Sequence, residues 1–204
     1  MLLICPIVAI FKPMKLGIYG GSFDPVHLGH LLVAQAAVEE LALDRIFFIP
    51  AAQSPFKPAH TLEAGSLRLR FLRLALAGNV RAEVDDEEIR RGGVSYTVDT
   101  LRNFAERFPG AKLYYLIGAD NVAKLNEWRE PAELARLAEF VVIPRPGEPP
   151  VNFPPPFQGQ HLKGFAMGVS SSEIRRRVKA GLTVEHLLPD AVAEAIQAAG
   201  IYRS

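Results

Sequence analysis

His27 and His30 are the residues of this chain best placed to do chemistry. They stand three apart, behind the stretch Gly20-Gly21-Ser22-Phe23-Asp24-Pro25-Val26. Two imidazoles at that spacing in the first turn of a helix lie on one face and can grip the same anion. The apolar run Lys15–Tyr19 before them reads as a buried strand, so the order is strand, glycine turn, helix. Gly20 and Gly21 let backbone N–H groups approach an anion closely, and Ser22 and Phe23 complete the turn. The helix end adds unpaired donors and a favourable dipole. A site that seats a nucleotide's phosphates is the chemistry this arrangement predicts. A tight turn followed by two surface histidines is the plainer alternative.

A second group stands near the other end. Ser170-Ser171-Ser172 leads into a helix that carries Arg175 one turn in. Small hydroxyls, free N–H groups and a guanidinium at a helix start also suit a phosphate. Taken alone, the spacing favours the plainer reading, a serine cap on a solvated basic face. Arg176 and Arg177 keep that reading, whereas Arg175, paired with the first group, reads as part of a second phosphate clamp.

The elements that must position these groups alternate along the chain. After the first strand, Leu28–Leu41 has apolar residues at Leu31, Ala34, Val38 and Leu41, a helical period. Ile46–Pro50 is apolar throughout, as a strand covered on both faces should be. Ser66–Ala77 reads as a helix and Val80–Val84 as a weaker strand. Thr97–Phe108 reads as a helix capped by Ser95 or Thr97. Lys112–Ile117 is a strand ending at Gly118-Ala119-Asp120. A helix over Pro131–Ala138, a strand over Glu139–Ile143 and a proline-rich loop to Pro156 follow. A strand over Leu162–Ala166, a helix over Glu173–Ala180 and a last helix, Asp190–Ala199, ending at Gly200, complete the reading. Such alternation predicts an α/β fold, doubly wound around a mainly parallel sheet, with a small helical C-terminal part. These folds bind ligands beyond the carboxyl ends of their strands. The glycine turn, Pro50-Ala51, Gly118-Ala119-Asp120 and Pro144-Arg145 all follow strands and should share one rim.

Composition narrows the function. The formal net charge of +1 provides no electrostatic case for a nucleic-acid or membrane-surface partner. A lone cysteine, Cys5, excludes an internal disulfide and a Cys-based metal cluster, and suits a reducing cytoplasm. His60, His161 and His186 lack metal-ligand spacing and read as surface positions. Asp85-Asp86-Glu87-Glu88 reads as a charged, solvated loop. No protein metal site is expected. Residues 1–13 are apolar but too short to span a bilayer and lack the plan of a signal peptide. They read as an N-terminal extension, from an upstream start, to a single domain over 14–204; an additional strand is the alternative.

Gly20–His30 and Ser170–Arg175 together resemble the nucleotidylyltransferase superfamily, which carries a His/Thr-x-Gly-His motif near its start and an Ile-Ser-Ser-Thr-x-x-Arg-like motif near its end. This chain has Val169 for the isoleucine and Ser172 for the threonine. Within the superfamily it is most similar to the bacterial nicotinate-nucleotide adenylyltransferases. The segments that carry this likeness are Ser54-Pro55-Phe56-Lys57, Gly92–Leu101, Gly118-Ala119-Asp120, Trp128 and Arg145-Pro146-Gly147. Many members have Pro-Pro-His-Lys at the first of these, so a histidine contact is absent here.

The resemblance implies adenylyl transfer from ATP to nicotinate mononucleotide, with Mg²⁺ carried on ATP. His27, His30 and Arg175 would then be catalytic. Gly20, Gly21, Ser22, Phe23, Gly118, Asp120, Ser171 and Ser172 would bind ATP. Lys57, Thr97, Trp128 and Arg145 would bind the second substrate. Each of these has a plainer alternative: a solvated lysine for Lys57, packing for Trp128, a helix cap for Asp120. The implied partners are these small molecules, without nucleic acid or membrane, and with a homo-oligomer possible. Transfer to nicotinamide mononucleotide or phosphopantetheine is the near alternative. A regulatory module that binds a nucleotide without turnover is the distant one.

Overall fold

The computed structural model describes residues 12–55, 62–144, 147, 149–165 and 167–203. Lys57 and Arg145, together with Cys5, His60 and most of the N-terminal extension, lie outside them.

The apolar runs form the strands. They are β1 (Lys15–Gly21), β2 (Arg45–Pro50), β3 (Ala82–Val84), β4 (Lys112–Gly118), β5 (Glu139–Ile143) and β6 (Gly159–His161). All are parallel, in the order β3-β2-β1-β4-β5-β6. That order reverses direction between β1 and β4, the switch point at which doubly wound sheets bind ligands.

Alternate residues of each strand enter two separate cores. Leu16, Ile18, Phe47, Ile49, Leu113 and Ile117 pack under α4 (Thr97–Arg107) and α6 (Pro131–Leu137). Tyr19, Ile46, Phe48, Tyr114, Leu116 and Val141 pack under α1 (Leu28–Glu40), α2 (Gly65–Ala75), α7 (Ser171–Lys179) and α8 (Asp190–Ala199). Both faces are covered, which is why the strands are apolar without alternation. The short elements α3 (Glu87–Arg91) and α5 (Ala119–Val122) complete the helices, and a 3₁₀ turn at Leu125–Glu127 follows α5. The doubly wound α/β class and the helical C-terminal part are as expected.

Three local expectations are corrected. The strand predicted at Leu162–Ala166 is instead β6, three residues earlier. Its residues Gly159, Gln160 and His161 are all exposed, so no apolar pattern marks it. Leu162 is the apolar residue that enters the core. The acidic run is no solvated loop: Asp85, Glu87 and Glu88 are buried, and α3 begins there. Arg107 of α4 pairs with Asp85 at 2.5 Å, and Thr100 donates to Glu88 at 2.6 Å. Finally, neither Ser95 nor Thr97 caps α4. Tyr96 is its N-cap residue, without a side-chain bond, and Ser95 Oγ accepts from Ala52 N at 3.0 Å instead.

Candidate active site

The β1–α1 turn is held by an aromatic plug. Phe23 takes a left-handed φ of +47° and is almost fully buried. Its ring meets Tyr19 at 5.4 Å, His30 at 5.0 Å and Phe48 at 5.5 Å between centroids. The strained conformation costs about 1–3 kcal/mol. Burying the ring returns about 1.5–3 kcal/mol, and edge-on aromatic contacts add to that. Burial offsets the strain, so the turn is held in one conformation.

That conformation fixes the histidines. His27 is the N-cap residue of α1 and His30 its third residue. Their rings stack at 3.7 Å between centroids. His30 Nδ1 accepts from the His27 backbone N–H at 3.1 Å, so a neutral His30 carries its proton on Nε2. Burial pushes the His27 imidazole down to about 4, and burial with the neighbouring His27 pushes His30 well below the usual range. Both rings are therefore neutral donors at neutral pH. Gly29 lies between them for a steric reason, because a Cβ there would stand 3.0 Å from His27 Cε1 and Nδ1.

The C-terminal group closes on the same turn. Ser170 Oγ caps α7, accepting from Glu173 N at 3.2 Å. Ser171 Oγ donates to Pro25 O at 2.8 Å. Arg175 Nη1 donates to Asp24 O at 2.7 Å and Nη2 to Ser172 Oγ at 3.2 Å. Arg176 pairs with Glu173 and Arg177 bonds Thr183 O, so both stay on the outer face as read from the sequence.

Two clefts open at the switch point. The larger, about 780 Å³, is walled by Ser22, Phe23, His27, His30 and Gly118 together with Ser170, Ser171, Ser172 and Arg175. Phe165 and Met167, apolar and exposed, border it and were not singled out from the sequence. The smaller, about 280 Å³, is walled by Gly20, Gly21, Thr97, Tyr115, Trp128 and Glu88. Ser22 and Gly118 belong to both, so the clefts are continuous there.

Most of the expected residues therefore converge, with two changes of place. Gly20 and Gly21, expected on the ATP side, face the smaller cleft. A Cβ on Gly20 would stand 2.6 Å from the Tyr115 hydroxyl, so that glycine admits Tyr115. Asp120, in the first turn of α5, is exposed and outside the described walls of both clefts.

The smaller cleft has a defined chemistry. Trp128 is half-buried and meets Tyr115 edge-on at 6.2 Å and Phe140 at 6.4 Å. It thus packs and faces the cleft at once. Thr97 Oγ1 donates to the Tyr115 hydroxyl at 3.3 Å. α4 begins at Thr97 without a side-chain cap, so its first N–H groups can serve an anionic substituent. Arg129 stacks on Tyr96, 4.8 Å from the ring centroid, at the cleft border. Tyr115 and Glu88 are among the wall residues that sequence reading missed, as is Arg129. Tyr115 lies inside an apolar strand run, and nothing local separates it from the adjacent Tyr114, which faces the other core.

Residues 18–177 match the cytidylyltransferase-like family model. A relative from Opitutus terrae, named probable nicotinate-nucleotide adenylyltransferase, is 42% identical over 193 residues, covering 93% of this chain and 98% of its own. A protein of the same name from Thermus thermophilus is 42% identical over 191 residues, covering 93% and 100%. Among solved structures, the nicotinic acid mononucleotide adenylyltransferase of Plasmodium falciparum, complexed with NaAD, shares the fold. Its TM-score is 0.76 at 19% identity, over 93% of this chain and 97% of that one. With a glycine turn, a histidine pair and a serine–arginine group meeting at one switch point, the chain belongs to the cytidylyltransferase-like family, among relatives named as probable nicotinate-nucleotide adenylyltransferases.

Proposed function

We propose that this chain is an enzyme of NAD biosynthesis that transfers the adenylyl group of ATP to nicotinate mononucleotide. The observation that carries the reading is the junction of two unlike clefts at Ser22 and Gly118. One has the donors for a triphosphate; the other has an aromatic wall and an open helix end suited to a pyridine carboxylate. Substrates seated in the two would bring their phosphates together at the junction.

A 5′-phosphate oxygen of nicotinate mononucleotide attacks the α-phosphorus of ATP. The bond from that phosphorus to the bridging oxygen breaks, and pyrophosphate leaves with the electron pair. The nucleophile is already anionic near neutral pH, so no general base is needed. The protein's work is positioning and charge stabilisation. His27 and His30 supply neutral N–H donors to the α-phosphoryl group and the leaving phosphates. Arg175, with the Ser171 and Ser172 backbone at the start of α7, holds the triphosphate from the α7 side of the cleft. Trp128 presents an aromatic face to the pyridine ring, and the Thr97 end of α4 its N–H groups to the carboxylate. Lys57 and Arg145 complete the substrate contacts in this proposal.

Mg²⁺ enters as part of the ATP substrate. The buried carboxylates of Asp24 and Glu88 are engaged already, by Tyr202 and Thr100, which favours a cation held by phosphate oxygens and water. No helix among the described residues is long and apolar enough to cross a membrane. We place the enzyme in the cytoplasm, where its small-molecule substrates and lone cysteine fit a reducing compartment.

The test is pyrophosphate release with ATP and Mg²⁺, comparing nicotinate mononucleotide, nicotinamide mononucleotide and phosphopantetheine. Preference for the nicotinate substrate is expected. Preference for another acceptor would remove the pocket assignment, and ATP binding without turnover would favour the regulatory module. His30→Ala should lower kcat on the order of 10²–10³-fold, the usual loss for one preorganised donor, while leaving the protein folded. An unchanged rate would remove His30 from the mechanism.

A further inference from the structure

We infer that Tyr202, the third residue from the end of the sequence, is a positioning residue for the phosphate turn, acting through Asp24 together with Arg68. The inference rests on the transfer reaction proposed above for the consequence on rate, and on geometry alone for the consequence on ATP affinity.

Asp24, Arg68 and Tyr202 come from three distant parts of the chain and meet in one buried cluster beneath the turn. The Tyr202 hydroxyl donates to Asp24 Oδ1 at 2.5 Å. Arg68 Nη1 donates to Ser22 O at 2.7 Å, and its Nε to Glu63 O at 2.9 Å. From the other side, Arg175 Nη1 takes Asp24 O and Ser171 Oγ takes Pro25 O. The carbonyls of Ser22, Asp24 and Pro25 are thus each held by a side chain from α2 or α7, while the Asp24 carboxylate is held by the C-terminal segment. The loop before α8 accepts the first N–H of the histidine helix, from Leu28 to Leu187 O at 3.0 Å.

None of the three clustered residues walls the larger cleft; Ser22, Phe23, His27 and Arg175, which surround them, do. Burying a carboxylate, a guanidinium and a phenol is expensive, and apolar residues of similar volume would serve stability as well. A fully bonded polar cluster does what apolar packing does not: it admits one relative placement of its members. Here that placement sets the Ser22 carbonyl, the backbone around Asp24 and the anchor of Arg175. Tyr202 itself has a left-handed φ of +61°, unfavourable for an aromatic residue, which the buried hydroxyl contact offsets.

Removing the Tyr202 hydroxyl releases one carboxylate oxygen and loosens both walls of the triphosphate site. Among the described residues the printed bonds of the cluster reach the smaller cleft only at Ser22, through its carbonyl, whereas they reach the larger cleft through both Ser22 and Arg175. The variant Tyr202→Phe should therefore act on ATP and spare the second substrate. A displacement of phosphate-binding groups by a fraction of an ångström predicts a rise of about 10-fold in KM and in Kd for ATP. The KM for nicotinate mononucleotide should stay within about 2-fold, the other half of the same argument.

The test compares the full-length chain with Tyr202→Phe, by steady-state pyrophosphate release with each substrate varied and by calorimetric titration with ATP. Thermal midpoints are recorded alongside. A selective loss on the ATP side is the expected result. A folded variant with a lower midpoint but wild-type ATP constants would show a merely structural contact and overturn the inference. Equal loss on both substrates would overturn it too. If Tyr202→Phe does not fold, Arg68→Lys decides by the same two outcomes, since a single ammonium cannot reproduce the two-way grip on Ser22 O and Glu63 O. If the unmutated chain releases no pyrophosphate with any acceptor, the transfer reaction falls, and the ratio of ATP dissociation constants still decides the positioning role.

Discussion

Gly29→Ala separates the chemistry of the histidine turn from its stability. An alanine Cβ at this position would meet His27 Cε1 and Nδ1 at 3.0 Å, with Val169 O at 3.7 Å on the other side. Ordinary contact begins near 3.4 Å, so the His27 ring must move by about 0.4 Å or tilt away from its stack on His30. In energy the change is small. Alanine is favoured over glycine within a helix by at most about 1 kcal/mol, less at the second position of α1, and the steric repulsion is of similar size. The thermal midpoint should then move by no more than about 2–4 °C in either direction for a chain of this length. In rate the change is larger. A misplacement of 1 Å at a positioning group costs about 100-fold, so a shift of 0.4 Å corresponds to a loss of roughly 10-fold in kcat. The assay is pyrophosphate release at saturating ATP and acceptor, with the midpoint taken by calorimetry. Wild-type kcat in the folded variant would refute the reasoning, since it would mean that the His27 ring position is irrelevant to turnover.

Three other outcomes are expected. The folded value of His27, about 4, lies below its unfolded value of 6.5, so the unfolded chain binds more protons between them. Stability from this source is complete above 6.5 and falls as pH drops towards 4, by about 3 kcal/mol at most. Denaturant titrations of His27→Gln at pH 7 and pH 4.5 should show a weaker acid loss than wild type; an identical loss would remove His27 as the cause. Glu87 has the opposite sign. Burial, with Asp85 beside it, raises its carboxyl from 4.5 to about 7. The stability it carries is present below 4.5 and lost as pH rises through 7, so Glu87→Gln should stabilise by on the order of 1–3 kcal/mol at pH 8 and hardly at all at pH 4. An equal gain at both values would point to packing instead of charge. Finally, Trp128→Ala should raise the KM for nicotinate mononucleotide by about 2- to 10-fold through loss of an aromatic contact worth about 0.5–1.5 kcal/mol, leaving ATP affinity unchanged. A change confined to ATP would place Trp128 on the wrong substrate.

The alternation of elements, the parallel sheet, the glycine turn and the spacing of His27 and His30 were legible in the sequence. Each depends on local periodicity or on short-range geometry, which neighbouring residues dictate whatever the rest of the chain does. The last helix, Asp190–Ala199, was legible for the same reason, because Gly200 in the left-handed region ends it. Local pattern fails where distant partners decide. Asp85, Glu87 and Glu88 look solvated until Arg107 and Thr100, on another helix, cover them. β6 has no apolar signature because backbone pairing to β5 alone defines it. Whether Tyr114 or Tyr115 faces the smaller cleft is a matter of strand register, which flips every side chain for a slip of one residue. The placement of Gly20 and Gly21 against the second cleft follows from Tyr115 in the same way. Most remote of all is the bond between Asp24 and Tyr202, at opposite ends of the described chain. Only the closed tertiary structure brings them together, and with them the carboxyl-terminal segment and the phosphate turn.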